Sequence, residues 1–249
     1  MKISNELYIK LLSCNLNNIN LSKDKIEEQR KIYFDLINNN ENYPTESPLL
    51  KDWYQDTEFT YPNIDKTKKK VINILKKYNP KTILEAGSGS GKLSKYIYDI
   101  LGQNISLTCV ENNINYYRQM QTNFTVLNYM PKIYVKARTI LGSIHDIKEI
   151  DSESIEMVFT HTVLMHIPFS SVVEIAAELA RISSKYILHV ENKNDVKSCV
   201  YPTNLYKTYN NLMIDYRKLY DELGFETLFY EEELLQDNSH VVTYLGKRI

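Results

Sequence analysis

Three of the seven glycines in this 249-residue chain stand within five residues, at Gly87, Gly89 and Gly91. They follow an apolar stretch typical of a strand and precede residues typical of a helix. At such a turn glycine permits positive φ and lets a ligand approach the backbone, while the helix start offers unpaired N–H groups. The spacing excludes two nucleotide motifs, because Lys92 stands where G-x-G-x-x-G needs glycine and Leu93 where a Walker loop needs Ser or Thr. A ligand loop of another kind, or a tight turn without a ligand, remains.

A carboxylate stands at the end of the next strand. Glu111 lies 20 residues after Gly91 and closes the apolar run Leu107-Thr108-Cys109-Val110. At a strand end close to a glycine loop, a carboxylate can accept hydrogen bonds from both ribose hydroxyls of a nucleoside. The glycine loop and Glu111 together predict a nucleoside site.

Three histidines are candidates for proton transfer, since a neutral imidazole suits a general base near pH 7. His161 directly follows a buried-type strand, where its side chain is expected to face a cleft. His166 stands in the run that follows and is either a base or a packed helix-face residue. His189 stands near the end of a further strand, and alternation leaves open whether it faces the cleft or the core.

Strands and helices alternate after residue 62, which predicts a parallel sheet with helices on both faces. Residues 1–62 read differently, with a helical pattern at 26–37 and four aromatics at Trp53, Tyr54, Phe59 and Tyr61. That aromatic segment is either packed on the domain or a lid over a ligand. We therefore predict an N-terminal helical or lid segment at 1–62 and a main domain at 63–249.

Composition limits the partners. Thirty basic and 31 acidic side chains leave a net charge of −1, so no long-range field collects nucleic acid. The three cysteines lack metal-ligand spacing and fit a reducing compartment, which favours the cytoplasm. No stretch reaches the ~20 apolar residues of a membrane span. Neither a nucleic-acid nor a membrane partner is expected, and the oligomeric state is left open.

The sequence resembles the class I S-adenosylmethionine-dependent methyltransferases. The resemblance runs through ILEAGSGSG at 83–91, TCVEN at 108–112, GSIHDI at 142–147 and IEMVFTHTVLMHIP at 155–168, in order and at familiar spacing. It implies a Rossmann-like, doubly wound, seven-stranded sheet with an antiparallel last strand. It also implies that the cofactor is S-adenosylmethionine.

The resemblance further implies roles for single residues. Glu85 would meet the methionine amine indirectly, and the backbone of the glycine loop would pass under the methionine and ribose. Glu111 would hold the ribose hydroxyls. Ser143 stands where the family more often has an acid, so this block departs from the common pattern. The full set of expected cofactor residues is Glu85, Gly87, Ser88, Gly89, Gly91, Glu111, Asn112, Ser143, Ile144 and Thr160.

The segment after the fourth strand indicates the methyl acceptor. It lacks the N-P-P-Y-like box with which base methyltransferases hold a flipped base. Its V-L-x-H-I run is frequent in small-molecule methyltransferases, and the histidines favour an oxygen acceptor. We therefore predict O-methylation of an activated sugar or another surface-glycan precursor. N-methylation of a small amine or a protein, and a non-catalytic nucleoside-binding module, remain as alternatives.

Overall fold

A computed structural model describes residues 64–128, 137–145, 147, 149–164, 167, 169–193, 215–234 and 240–249. Residues 1–62, including the proposed lid, lie outside this part of the chain, as does His166. The boundary predicted between an N-terminal segment and the main domain therefore stays a prediction.

Helices and strands alternate through the described residues, as the sequence predicts. The elements are α1 (Ile64–Tyr78), β1 (Thr82–Ala86), α2 (Lys92–Leu101), β2 (Ser106–Glu111), α3 (Ile114–Asn128), β3 (Ala137–Leu141), β4 (Ile155–His161), α4 (Phe169–Ile182), β5 (Ser183–Lys193), α5 (Tyr216–Asp221), β6 (Phe225–Leu234) and β7 (His240–Arg248), with a short 3₁₀ turn at 102–104.

The seven strands form one sheet in the order β3-β2-β1-β4-β5-β7-β6. β1 to β5 pair in parallel, and β7 is antiparallel to both β5 and β6. The predicted seven-stranded sheet with an antiparallel last strand is confirmed. From β1 the chain runs outward through β2 to β3 on one side of the sheet. It then returns to β4, the other neighbour of β1, and runs outward to β5 on the opposite side, so the strand order reverses between β1 and β4. Ligands of open α/β sheets bind at the carboxyl ends of the strands beside such a switch point.

Two hydrophobic cores lie on opposite faces of the sheet. Leu84 joins the core that contains Val172 and Leu179 of α4, whereas its neighbour Ile83 joins the core that contains Val71 of α1 and Ile97 of α2. Successive side chains of a strand point to opposite faces, so a strand covered by helices on both sides is apolar throughout. Both cores hold the carboxyl ends of β1, β2 and β4 at one edge.

Neither a membrane-spanning helix nor a metal-ligand cluster is found among the described residues. None of their helices is long and apolar enough to cross a membrane. No group of three or more His, Cys, Asp or Glu side chains among them is placed to hold a metal ion.

Candidate functional site

The glycine loop folds back onto the end of β2. The N–H groups of Gly87 and Ser88 both donate to the carbonyl of Val110, each at 2.9 Å. The Ser88 hydroxyl donates to the Glu85 carbonyl at 2.9 Å. Because that side chain is committed to the loop itself, Ser88 can contribute to a ligand site through its backbone.

Glu111 is joined to this loop. One carboxylate oxygen accepts the Gly89 N–H at 2.8 Å and the other accepts the Asn113 N–H at 2.8 Å. Burial raises the pKa of Glu111, and the N–H groups of Asn113, Gly89 and Asn112 act in the opposite direction. The structure thus brings together the two features from which the sequence predicted a nucleoside site.

Glu85 lies beneath the loop, only 3 % exposed. Its carboxylate accepts a hydrogen bond from the Ser94 hydroxyl in the first turn of α2. Burial raises the pKa of Glu85 to about 8, and the nearby charge of Glu111 also raises it. Ser94 is in turn 3.0 Å from the Cys109 sulfur. The sequence analysis did not identify Ser94, which carries no motif and is placed here by helix geometry.

The block after β3 lies beside Glu111. The Gly142 N–H donates to the Glu111 carbonyl at 3.0 Å, so Ser143 and Ile144 follow immediately at this edge of the sheet. The Ser143 hydroxyl is 3.1 Å from Nδ1 of His145. Ile144 is 8 % exposed and belongs to a core, while Asn112 is exposed next to Glu111.

His161 ends β4 at the same edge and is half-buried. The next residue, Thr162, has φ 55°, a left-handed conformation that β-branched residues rarely adopt. Its N–H donates to the Val190 carbonyl at 3.0 Å, and its hydroxyl donates to the His161 carbonyl at 2.7 Å. That hydroxyl is also 3.5 Å from His161 Nδ1. Strain of this kind concentrates at functional sites, where the surroundings hold the backbone in place.

His189 lies in the core and not at the cleft, which corrects its prediction as a base. It is fully buried, with Nδ1 2.6 Å from the Thr160 hydroxyl and Nε2 2.7 Å from the Tyr220 hydroxyl. Rings of Tyr216 and Tyr220 stack on it with centroids 4.9 and 5.1 Å away. Burial lowers the pKa of His189 to about 3, so the ring stays neutral. A buried ring with both nitrogens hydrogen-bonded to neighbouring side chains is poorly placed to take an acceptor's proton.

The side chain of Thr160, one of the expected cofactor residues, also faces this buried network. Its hydroxyl donates to Glu191 at 2.7 Å. Since a hydroxyl has one hydrogen, His189 must donate from Nδ1 to Thr160 and accept from Tyr220 at Nε2. No sequence motif marks Glu191, because its place in the sheet depends on the pairing of β5 with β7.

Comparison with known proteins gives structural matches only. The sequence matches no protein-family model and no curated protein. The fold is similar to magnesium protoporphyrin IX methyltransferase from Synechocystis PCC 6803 with bound S-adenosylmethionine, at TM-score 0.61 and 13 % identity, covering 94 % of this chain and 100 % of that one. It is also similar to TehB from Haemophilus influenzae, at TM-score 0.56 and 19 % identity, covering 73 % of this chain and 62 % of that one.

The chain therefore has the fold of a methyltransferase that binds S-adenosylmethionine. Fold alone does not fix the reaction, because the cyclase SpnF is similar too, at TM-score 0.53 and 9 % identity, covering 72 % of this chain and 80 % of that one.

The residues at the glycine loop fit this cofactor. A methyl group at Gly89 would meet no atom within 4 Å, so the loop is open there. A carboxylate offers about four acceptor positions, more than the backbone N–H groups around Glu111 use, which leaves capacity for hydroxyl donors. Glu85 supplies a second carboxyl group, whose charged form a cationic ligand would favour. An open loop between two carboxyl groups suits a ligand that carries a diol and positive charge.

Proposed function

We propose that this chain is an S-adenosylmethionine-dependent methyltransferase that acts on a small molecule. The observation that carries the proposal is the hydrogen bond from Gly89 N–H to Glu111, which joins an open glycine loop to a strand-end carboxylate at the switch point. Glu111 would hold the ribose hydroxyls, and the loop backbone from Gly87 to Gly91 would lie along the ligand. Glu85 would act on the amine end through its charge.

When bound, the cofactor supplies a sulfonium methyl group for in-line displacement, which leaves a neutral thioether. The protein's main contribution is alignment, which can supply ~7–11 kcal/mol in favourable cases. A hydroxyl acceptor must lose its proton as the new bond forms. The half-buried position of His161 at the end of β4 supports it as the group that would receive this proton.

We propose O-methylation with His161 as the base. The finer proposal, an activated sugar or another surface-glycan precursor made in the cytoplasm, rests on family analogy. N-methylation needs only an unprotonated amine and no base. Because the cyclase SpnF has a similar fold, a third possibility is also tested, namely that this chain binds its ligand without transferring a methyl group.

An activity assay on separate mixtures of candidate acceptors, here called the pool assay, tests the proposal. The protein is incubated with S-adenosylmethionine and, separately, with activated sugars and with small amines. S-adenosylhomocysteine and methylated product are then measured by mass spectrometry. Product with sugars supports the proposal, product with amines alone moves the acceptor to nitrogen, and binding without product in any pool supports a non-catalytic module.

Replacement of His161 tests the base. We expect His161→Asn to keep cofactor affinity and to lower turnover by about 10²–10⁴-fold, the range for loss of a general base. The lower limb of the pH–rate profile, near the ordinary histidine pKa of about 6.5, should disappear in the variant. Turnover close to that of the wild type would remove His161 from the mechanism. The buried position of His189 means that the assignment would then pass to His166.

A further inference from the structure

A buried carboxylate holds the segment that leaves β4. Glu191 on β5 is 3 % exposed. Its Oε2 accepts the N–H groups of Val163 at 2.9 Å and Leu164 at 3.0 Å, and its Oε1 accepts the Thr160 hydroxyl at 2.7 Å. We infer that Glu191 is a positioning residue that fixes residues 162–164, here called the β4 exit loop, beside the methyl-transfer site. The inference rests on the proposed function for the meaning of that site.

The β4 exit loop joins the proposed base to the proposed cofactor loop. It begins directly after His161. The side chain of Val163 packs against the glycine loop, where a methyl group added to Gly87 would lie 2.5 Å from Val163 Cγ2. Val163 therefore lies between the proposed base and the glycine loop.

The loop needs an external anchor because its backbone is strained. Thr162 has positive φ, and such a conformation persists only where the surroundings over-determine it. The Val190 carbonyl fixes the N–H of Thr162, and Glu191 fixes the next two. Three consecutive N–H groups of the loop are thus held by adjacent residues of β5.

The chemistry of this anchor requires a carboxylate. Three donors from the described residues reach the two oxygens of Glu191, and an ionised carboxylate is acceptor-only. Glutamine has one acceptor oxygen and an amino group that donates, so either the Thr160 hydroxyl or the two loop N–H groups would face a donor. The network behind Thr160, through His189 to Tyr220, fixes the Thr160 hydroxyl from the far side. The Thr160 hydroxyl therefore cannot easily switch from donating this hydrogen bond to accepting one.

The test compares Glu191→Gln with Glu178→Gln. Glu178 is a matched control, because it is also a buried carboxylate, 7 % exposed, and pairs with Arg181 on α4. Amide hydrogen exchange is followed by mass spectrometry in both variants and the wild type. We expect exchange in peptides that contain Val163 and Leu164 to rise about ten-fold or more in Glu191→Gln, because charge-assisted hydrogen bonds are lost. Exchange there should match the wild type in Glu178→Gln.

Calorimetry with S-adenosylhomocysteine and the pool assay complete the test. In Glu191→Gln we expect affinity for S-adenosylhomocysteine within about two-fold of the wild type, with turnover at saturating cofactor reduced about ten-fold or more. Unchanged exchange at the exit loop, or a uniform rise over the whole sheet, would overturn the inference, as would unchanged turnover with faster loop exchange. If the wild type does not bind S-adenosylhomocysteine, the proposed function fails, and the exchange result still decides whether Glu191 anchors the loop.

Discussion

Two carboxyl groups beside one loop differ because their surroundings differ. Glu111 receives backbone N–H groups on both oxygens, whereas Glu85 is buried with Ser94 as its hydrogen-bond donor. Hydrogen bonds to the charged form favour ionisation, and burial without them opposes it. Glu111 is therefore suited to hold hydroxyl groups, and Glu85 to respond to positive charge.

The raised pKa of Glu85 makes stability depend on pH. The unfolded carboxyl loses its proton near 4.5, while the folded one keeps it until about pH 8. Between these values the folded state binds more protons, so stability falls as pH rises, by up to about 1.4 kcal/mol per pH unit. Glu85→Gln cannot titrate, and we expect it to remove this decline. Urea unfolding at several pH values in the ligand-free protein checks the prediction.

The window above pH 6.5 gives the cleanest comparison. The pKa of His189 is lowered to about 3 in the folded protein, against 6.5 in the unfolded chain. Below pH 6.5 this shift makes stability rise with pH, which opposes the Glu85 effect. Glu156→Gln serves as control, because hydrogen bonds from Lys185 and Lys81 lower the pKa of this half-buried carboxyl group. Parallel wild-type and Glu85→Gln curves between pH 6.5 and 8 would show that Glu85 is ionised in the folded protein.

At the scale of elements, the site depends on two loops that touch. Gly87 has φ 78° and lies against Val163. We expect Gly87→Ala to cost about 1–2 kcal/mol for the left-handed backbone and about 1–3 kcal/mol for overpacking. Val163→Ala in the same chain should recover most of the second part, since it removes the two methyl groups that lie nearest and leaves Cβ at 3.2 Å. Denaturant unfolding of the four proteins in a double-mutant cycle measures this coupling.

Gly89→Ala is the control for backbone strain alone. Gly89 has φ 54° and open space where a methyl group would lie. Its substitution should cost only the backbone part, with no coupling to Val163→Ala, while it weakens cofactor binding. Additive losses for Gly87→Ala and Val163→Ala would contradict the contact between the two loops.

Much of this arrangement could be predicted from the sequence. The strand, the glycine cluster and the acid at Glu111 are local patterns, and the structure places them together. The sequence does not show on which side of β5 the His189 side chain lies, because β5 is buried on both sides and its apolar run carries no alternation. β5 continues to Lys193 because it pairs with β7 as far as His240. Glu191 is part of this buried strand because it pairs with Val242, which lies 51 residues further along the chain.

At the scale of the whole molecule, the strand order decides where chemistry can occur. The reversal between β1 and β4 places the ends of both strands at one edge, with the glycine loop on one and His161 on the other. Cores on both faces of the sheet support this edge. Proposed cofactor and base positions therefore come from different strands that the fold brings together.

Calorimetry of cofactor binding tests the central claim most directly. S-adenosylmethionine is titrated into the wild type, Glu111→Ala and Glu226→Ala, the last being an exposed carboxylate on edge strand β6. We expect micromolar binding to the wild type and Glu226→Ala, and a loss in Glu111→Ala of one or two charge-assisted hydrogen bonds worth roughly 1.5–3 kcal/mol each. Absence of binding to the wild type, or tighter binding of NAD than of S-adenosylmethionine, would contradict the account.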